Sequence, residues 1–491
     1  MKRESSCALI LILTLLALSP LRGGEKIPMP DAEKANVTTV TSIKELQETV
    51  ARAEAGTTIL LKNGQYTERC DLKGKGSKAR PIVVRAETIG GVELLNQVTL
   101  EGEYVVVMGF NFTDKGFVSI SGKGCRLSRC HMTNVQNGQW VIVSNSSREV
   151  EIDHCLFEKK ESNTILSKGC QLLKIGVLNK GEQHHIHHNH FRDIPKGKTG
   201  NGFETIQLIT QGNPFDPKKG DCKTVIEDNL FERCNGEVET ISVKSNGNVI
   251  RRNTFRACAG SLVLRHGDAN VATGNFFFGD GEKGSGGVRL QGVDQVVVNN
   301  YFQDLGQAAI AMMDGTPDNL YVRVERATVA HNTVVNCGYA MEIGLNHSKH
   351  PNGTVPKECV IAGNIFVHQG DGEHKAIRFV QDDQPVDWVW VDNVVKGELG
   401  IPPCKGIVTG DPQLTIVDKN VSLPTKDTPI SKHMLNDVNA LSGDLFGNPR
   451  KDVRTIGCVQ FPVEGQGMGP LTEKRVGPDA ADPVSIRGAG R

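Results

Sequence analysis

The sequence predicts an all-β protein wound as a parallel β-helix, a solenoid of stacked coils with a short N-terminal capping helix and an irregular C-terminal cap. Three observations carry that expectation: a short recurring phrase, an abundance of glycine and a scarcity of aromatic residues. The phrase is an aliphatic residue, two variable ones, Asn, one variable, then an aromatic or aliphatic residue. It stands at Ile186/Asn189/Phe191, Ile226/Asn229/Phe231, Ile250/Asn253/Phe255, Val297/Asn300/Phe302, Val329/Asn332/Val334 and Ile361/Asn364/Phe366. Degenerate copies are "VVVMGFNF", "CRLSRCHM", "EIDHCLF", "NVATGNFF" and "WVDNVV". With the Asn or its substitute as anchor, the positions are 110, 130, 155, 189, 229, 253, 275, 300, 332, 364 and 393, so neighbouring anchors stand 20 to 40 residues apart. That interval suits one turn of a β-solenoid whose loops absorb the differences in length. The 54 glycines and the 5% aromatic content suit many tight turns more than a helical core.

Each segment follows in order. Residues 1–24 have a basic start, an apolar run from Cys7 to Leu18 and small residues at Gly23 and Gly24. This reads as a signal peptide, too short for a good membrane span, so a secreted or periplasmic protein without membrane insertion is expected. In "SIKELQETVARAEAG", Ser42 is an N-cap with Glu45 three residues on, and Leu46 and Val50 share a face, which predicts the capping helix. The solenoid is expected over 25–400. The phrase is lost after it, which leaves 401–462 as the C-terminal cap and 463–491 as a flexible tail. Of 13 cysteines, 12 follow the signal without paired spacing; Cys234, Cys258 and Cys337 each lie five residues after an anchor. They are expected to be small buried thiols in an internal stack, with a disulfide between coils left open. Basic and acidic side chains balance at 56 each, which gives no field for coating a polyanion and argues against a nucleic-acid partner.

Chemistry concentrates in "GEVETISVKS", residues 236–245. Glu237 and Glu239 share a strand face because the side-chain period is two. Two carboxylates that close repel unless a cation lies between them, and oxygen-only ligands point to Ca²⁺ more than to Zn²⁺. Strict alternation puts Lys244 on the opposite face, so a bend between Glu239 and Lys244 is required. Solenoid coils stack about 4.8 Å apart, which should bring Lys244, Arg265 of "GSLVLRHGD" and Arg289 of "GGVRLQG" into one line. An exposed Glu/Lys/Arg ladder fits the same spacing. Arg289 suits a substrate carboxylate or sulfate, because its fork matches such anions, or an ion pair with the next rung. His266 could contact substrate, although alternation turns it away from Arg265. The run "HHIHHNH", His184 to His190, reads as a solvated or groove-lining strand, with no Cys or carboxylate set to complete a zinc site.

At these residues the sequence resembles the family-six polysaccharide lyases, which include chondroitinase B and many alginate lyases. The matching stretches are "NGFETIQL", "GEVETISVKS", "GSLVLRHGD", "GNFFFG", "GGVRLQG" and "NNYF". The resemblance implies a right-handed parallel β-helix, with Glu237, Glu239 and Asn201 as calcium ligands, Lys244 as base and Arg265 as acid. Glu204 is the nearby substitute for Asn201 and a candidate substrate contact. It further implies an acidic, uronate-containing polysaccharide as substrate and β-elimination as reaction. Alginate is favoured and dermatan sulfate is the alternative; a polysaccharide C5-epimerase and a non-catalytic glycan-binding solenoid are the readings from other classes.

Overall fold

Each coil is a run of short apolar strands interrupted by residues that turn the backbone sharply. The left-handed residue at the recurring corner stands just before the anchor Asn: His188, Asp228, Arg252, Gly274, Asn299, His331, Gly363 and Asp392 have φ between 47 and 66°. Asn tolerates that conformation, yet the residue before it takes it. One left-handed residue suffices for the turn, and the Asn amide is left free to bond along the stack. Asn189, Asn229, Asn253, Asn275, Asn300, Asn332, Asn364 and Asn393 are wholly buried. In each neighbouring pair the Nδ2 of one donates to the Oδ1 of the next at 2.8–3.1 Å.

The computed structural model describes residues 36–161, 169–198, 200–210, 220–317, 321–345, 354–368, 374–380, 385–417, 421–425, 427–428, 443–448, 450, 455–460 and 469–481. Every turn of the solenoid visits three parallel sheets in succession. The first has 14 strands, from Asn36–Val40 to Val389–Val391, and the second 14, from Gly64–Tyr66 to Ile407–Thr409. The third has 12, from Cys70–Leu72 to Ile377–Phe379. Ile186, Ile226 and Ile250 point inward from the first sheet. From the second, Phe157, Phe191, Phe231, Phe255, Phe277 and Phe302 stack with centroids 4.5–4.9 Å apart. Offset aromatic pairs of this kind add about 0.5–1.5 kcal/mol each beyond their buried area. Cys234, Cys258 and Cys337 lie in the same core, and all twelve described cysteines are free thiols.

The capping helix spans Ile43–Arg52; Ser42 Oγ accepts from Glu45 N, and Ile43, Leu46 and Val50 are buried. Glu45 reaches back to Thr41 N at 2.9 Å, which holds the helix entry. The second sheet runs past the expected boundary at 400, through Ile407–Thr409. The described parts of the C-terminal cap lie on the flank of the solenoid. Val421, Leu423, Leu445, Cys458 and Val459 pack on Phe276, Phe278, Tyr301 and Val335, which leave the second sheet on its outer side. Residues 469–481 are not the loose tail that was expected. Leu471 and Val476 bury Leu230, Arg129 Nη1 donates to the carbonyls of Pro478 and Ala480 at 2.6 and 2.8 Å, and Gly477 N donates to His188 O. The buried Leu471 and Val476, with the hydrogen bonds from Arg129 and Gly477, fasten a segment that looks polar by composition. No described helix is long and apolar enough to cross a membrane. The signal segment 1–24, and residues 463–468 and 482–491 of the expected tail, lie outside the described residues.

Candidate active site

Glu239–Lys244 is a strand of the third sheet, and its Ile241 and Val243 are core residues. Strict alternation would put Glu239 in the core with them. The register breaks instead: Glu239 pairs with Ser261 and Ile241 with Leu262, so Thr240 is an extra residue. A β-bulge of this kind reverses the parity of everything before it. Glu239 thereby joins the face of Ser242, whose Oγ donates to Glu239 Oε2 at 2.5 Å, and of Lys244. This is the bend that the spacing of Glu239 and Lys244 requires.

The outward face opens on a cleft of about 400 Å³, lined by Asn201, Glu237, Glu239, Lys244, Arg265 and Arg289, with Gln291, Met313 and Tyr321 at its side. Arg265 follows Leu264, which pairs with Val243, so it stands one step along beside Lys244. Arg289 is not in that line. It pairs with Val263, which pairs with Ser242, and Gln291 takes the place next to Arg265. Arg289 still reaches the cleft, because its Nη2 lies 2.9 Å from Glu239 Oε1, where Arg265 Nη1 also binds at 2.5 Å. His266 does not turn away from Arg265 either. Its left-handed backbone (φ 52°) breaks the alternation, and its Nε2 accepts from Arg265 Nη2 at 2.9 Å.

Three buried carboxylates converge here: Glu204, Glu237 and Glu239 each offer an oxygen within 4.8 Å of the others. Asn201 lines the same cleft but is exposed, so Glu204 is the third member of the compact set. Burial first, and then the adjacent Glu204 and Glu239, push Glu237 up to about 8. Burial would raise Glu239 as well, but Arg265, Arg289 and Lys244 outweigh it and hold the carboxylate at about 2. Lys244 Nζ pairs with Glu204 Oε1 at 3.2 Å. Gln207 Nε2 donates to the same oxygen at 2.6 Å, and Gln171 Nε2 to the other at 3.0 Å. A set of carboxylate oxygens, one of which binds a proton for lack of positive charge, fits a hard divalent cation. Burial, with Arg265 and Lys244, lowers His266 to about 4, so its ring is neutral near pH 7.

Gln171, Gln207, Ser242, Gln291 and Tyr321 were not singled out from sequence. A bulge at Thr240 would have pointed to Ser242; the others come from distant coils and carry no local signal. The histidine run also departs from expectation. His184, His185, His187 and His190 are buried rather than solvated. Carboxylates do meet it, from neighbouring coils: Glu227 on His185, Glu151 on His187 and Glu232 on His190, at 2.7–2.9 Å.

Fold and cleft place the protein among parallel β-helix proteins that present a charged cleft on one sheet. The family model described as Chondroitinase B matches residues 40–438, and the chain belongs to that family. Solved structures give the same picture. A family 6 alginate lyase is 24% identical with a TM-score of 0.71, over 90% of this chain and 58% of its own. This chain therefore spans well under two thirds of that relative's length. A mannuronic acid specific family 6 lyase from human gut microbiota is 26% identical (TM-score 0.63, 76% of this chain and 91% of that one). A family 6 polysaccharide lyase from Pseudopedobacter saltans is 23% identical (TM-score 0.66, 90% and 99%). No curated protein matches the chain.

Proposed function

We propose that this protein is a calcium-dependent polysaccharide lyase that cleaves alginate, an acidic uronate polysaccharide, by β-elimination. The observation that carries the reading is the meeting of the Glu204, Glu237 and Glu239 carboxylates with Lys244 and Arg265 in one outward cleft. Glu237, Glu239 and either Glu204 or Asn201 would hold the cation. When bound, it neutralises the substrate carboxylate and so makes the neighbouring C5 proton more acidic. Lys244, as the free amine, takes that proton. Arg265 faces the departing O4 and stabilises its negative charge by hydrogen bonding, since a guanidinium hardly gives up a proton. His266, neutral and bonded to Arg265, orients that guanidinium and borders the substrate. Arg289 pairs with a substrate carboxylate once it is released from Glu239. An N-terminus that begins basic and continues apolar supports export to the periplasm or the medium.

Dermatan sulfate is the second substrate, favoured by the Chondroitinase B description of the matching family model. A C5-epimerase would return the proton instead of expelling O4, and a non-catalytic solenoid would need no lysine beside a cation site. Incubation with alginate, polymannuronate, polyguluronate and dermatan sulfate, with and without chelator, separates these readings. Ultraviolet absorbance from an unsaturated product is expected with alginate and is lost with chelator. No absorbance with any substrate overturns the lyase, and absorbance that is unchanged by chelator overturns the calcium requirement.

A further inference from the structure

A second cluster of ligating side chains lies on another sheet. On the outer side of the first sheet, Glu151 pairs with His185, and Asp153 pairs with His187, which pairs in turn with Glu227. All five are buried, at 6% exposure or less, while Ile152, Ile186 and Ile226 between them fill the core. His185 Nε2 bonds Glu227 Oε1 at 2.8 Å. His187 Nε2 lies 2.9 Å from Glu151 Oε1. His185 Nδ1 is buried without a hydrogen-bond partner. An imidazole that donates from Nε2 to a carboxylate keeps a bare lone pair on Nδ1, and burying it unsatisfied is costly. One ligating atom each from Glu151, His185 and His187 lies within 4.8 Å of the others.

We propose that Glu151, His185 and His187 bind a divalent transition-metal cation of the zinc type, at a site separate from the cleft that ties two successive coils together. Two imidazoles and one carboxylate are a donor set that zinc accepts, whereas calcium takes oxygen alone. Ligands about 2.0–2.2 Å from a tetrahedral zinc stand roughly 3.3 Å apart, so the contact between His187 and Glu151 has only to open slightly. The surroundings are those of an oriented metal-binding histidine. Arg251 and Arg252 hold Glu227 at 2.5 and 2.6 Å, and Glu227 in turn orients His185. Arg126 Nε binds Asp153 at 2.7 Å and lies 3.6 Å from Glu151, which keeps both carboxylates charged.

The test is titration of the chelator-stripped full chain with Co²⁺, with Ca²⁺ in excess to occupy the cleft, followed by displacement with Zn²⁺. One Co²⁺ per chain is expected, with visible absorption of a low-coordinate nitrogen and oxygen site that Zn²⁺ bleaches. Glu151→Gln and His187→Gln should each weaken binding by at least about tenfold, and Glu237→Gln should leave it unaltered. Absence of stoichiometric binding, binding that survives both substitutions, or binding lost in Glu237→Gln overturns the site. Should either variant fail to fold by far-UV circular dichroism, X-ray absorption of the zinc-loaded wild-type chain decides. A first shell with two imidazoles supports the site and an all-oxygen shell refutes it. Because no arm reads polysaccharide cleavage, failure here leaves the lyase reading untouched, and failure of the lyase reading leaves this one.

Discussion

Glu239 and Lys244 stand an odd number of residues apart in a strand whose faces alternate, and they share a face only through the extra Thr240. Lys244→Ala should lose turnover while keeping its far-UV circular dichroism and calcium affinity; normal turnover would remove Lys244 as the base. Glu237→Gln should abolish calcium binding, read by calorimetry, together with turnover, since the proton that Glu237 would otherwise take up marks where positive charge is wanted. His331 gives a pH prediction away from the cleft. Its ring is buried, and burial, with Arg450 nearby, outweighs a backbone contact with Thr455 and holds the imidazole well below its ordinary value. The unfolded chain takes up that proton near pH 6.5 and the folded chain does not. Stability from this group is therefore complete above about pH 6.5 and declines as pH falls toward the depressed folded value. Urea midpoints should drop on that acid limb, and His331→Asn, which tolerates the left-handed backbone, should flatten it. At this scale Glu237, Glu239 and Lys244 were legible as one local cluster, and Arg265 as its neighbour on the next coil; spacing alone fitted an ion-pair ladder equally well, and the family resemblance favoured a site. Ser242, Gln171 and the carboxylates that meet the histidine run were hidden by a parity reversal and by partners 33 to 42 residues away.

The asparagine corner shows what an element adds. Asn275 Oδ1 accepts from the backbone N and the Nδ2 of Asn253, while its own Nδ2 donates to Ile250 O and Asn300 Oδ1. Asn275→Ala strands buried partners on both neighbouring coils. The expected loss is about 3 kcal/mol or more, measured from the urea midpoint at constant m-value, and a loss under about 0.5 kcal/mol would mean that water replaces the amide. The phrase that revealed the coils is this element, read as Asn flanked by core residues. Which corner residue is left-handed was not legible, because Asn tolerates that conformation and the residues that adopt it, among them His, Asp and Arg, do not announce it. The capping helix was legible down to its N-cap, since Ser42 and Glu45 act within one turn.

For the molecule as a whole, the solenoid was legible from periodicity and its covering segments were not, because flank packing has no period. Residues 469–481 run along the second sheet, far in the chain from Arg129 and Leu230, which they cover. Deleting 469–491 should cost about 3 kcal/mol for the lost burial of Leu471 and Val476, seen as a lower Tm. Turnover on the third sheet should stay unchanged; loss of turnover in folded protein would show that the strap acts on the site. The asparagine ladder has a wider consequence. Its amides all point the same way, so their dipoles add head to tail and give the stack a polarity. Cys155 N closes the accepting end on Asn189 Oδ1, and Gly406 O closes the donating end on Asn393 Nδ2. A whole coil inserted between those ends brings one donor and one acceptor and leaves none over, whereas a coil added beyond either end breaks a closure. The protein can therefore change length in its interior by complete turns, and the ladder keeps the count.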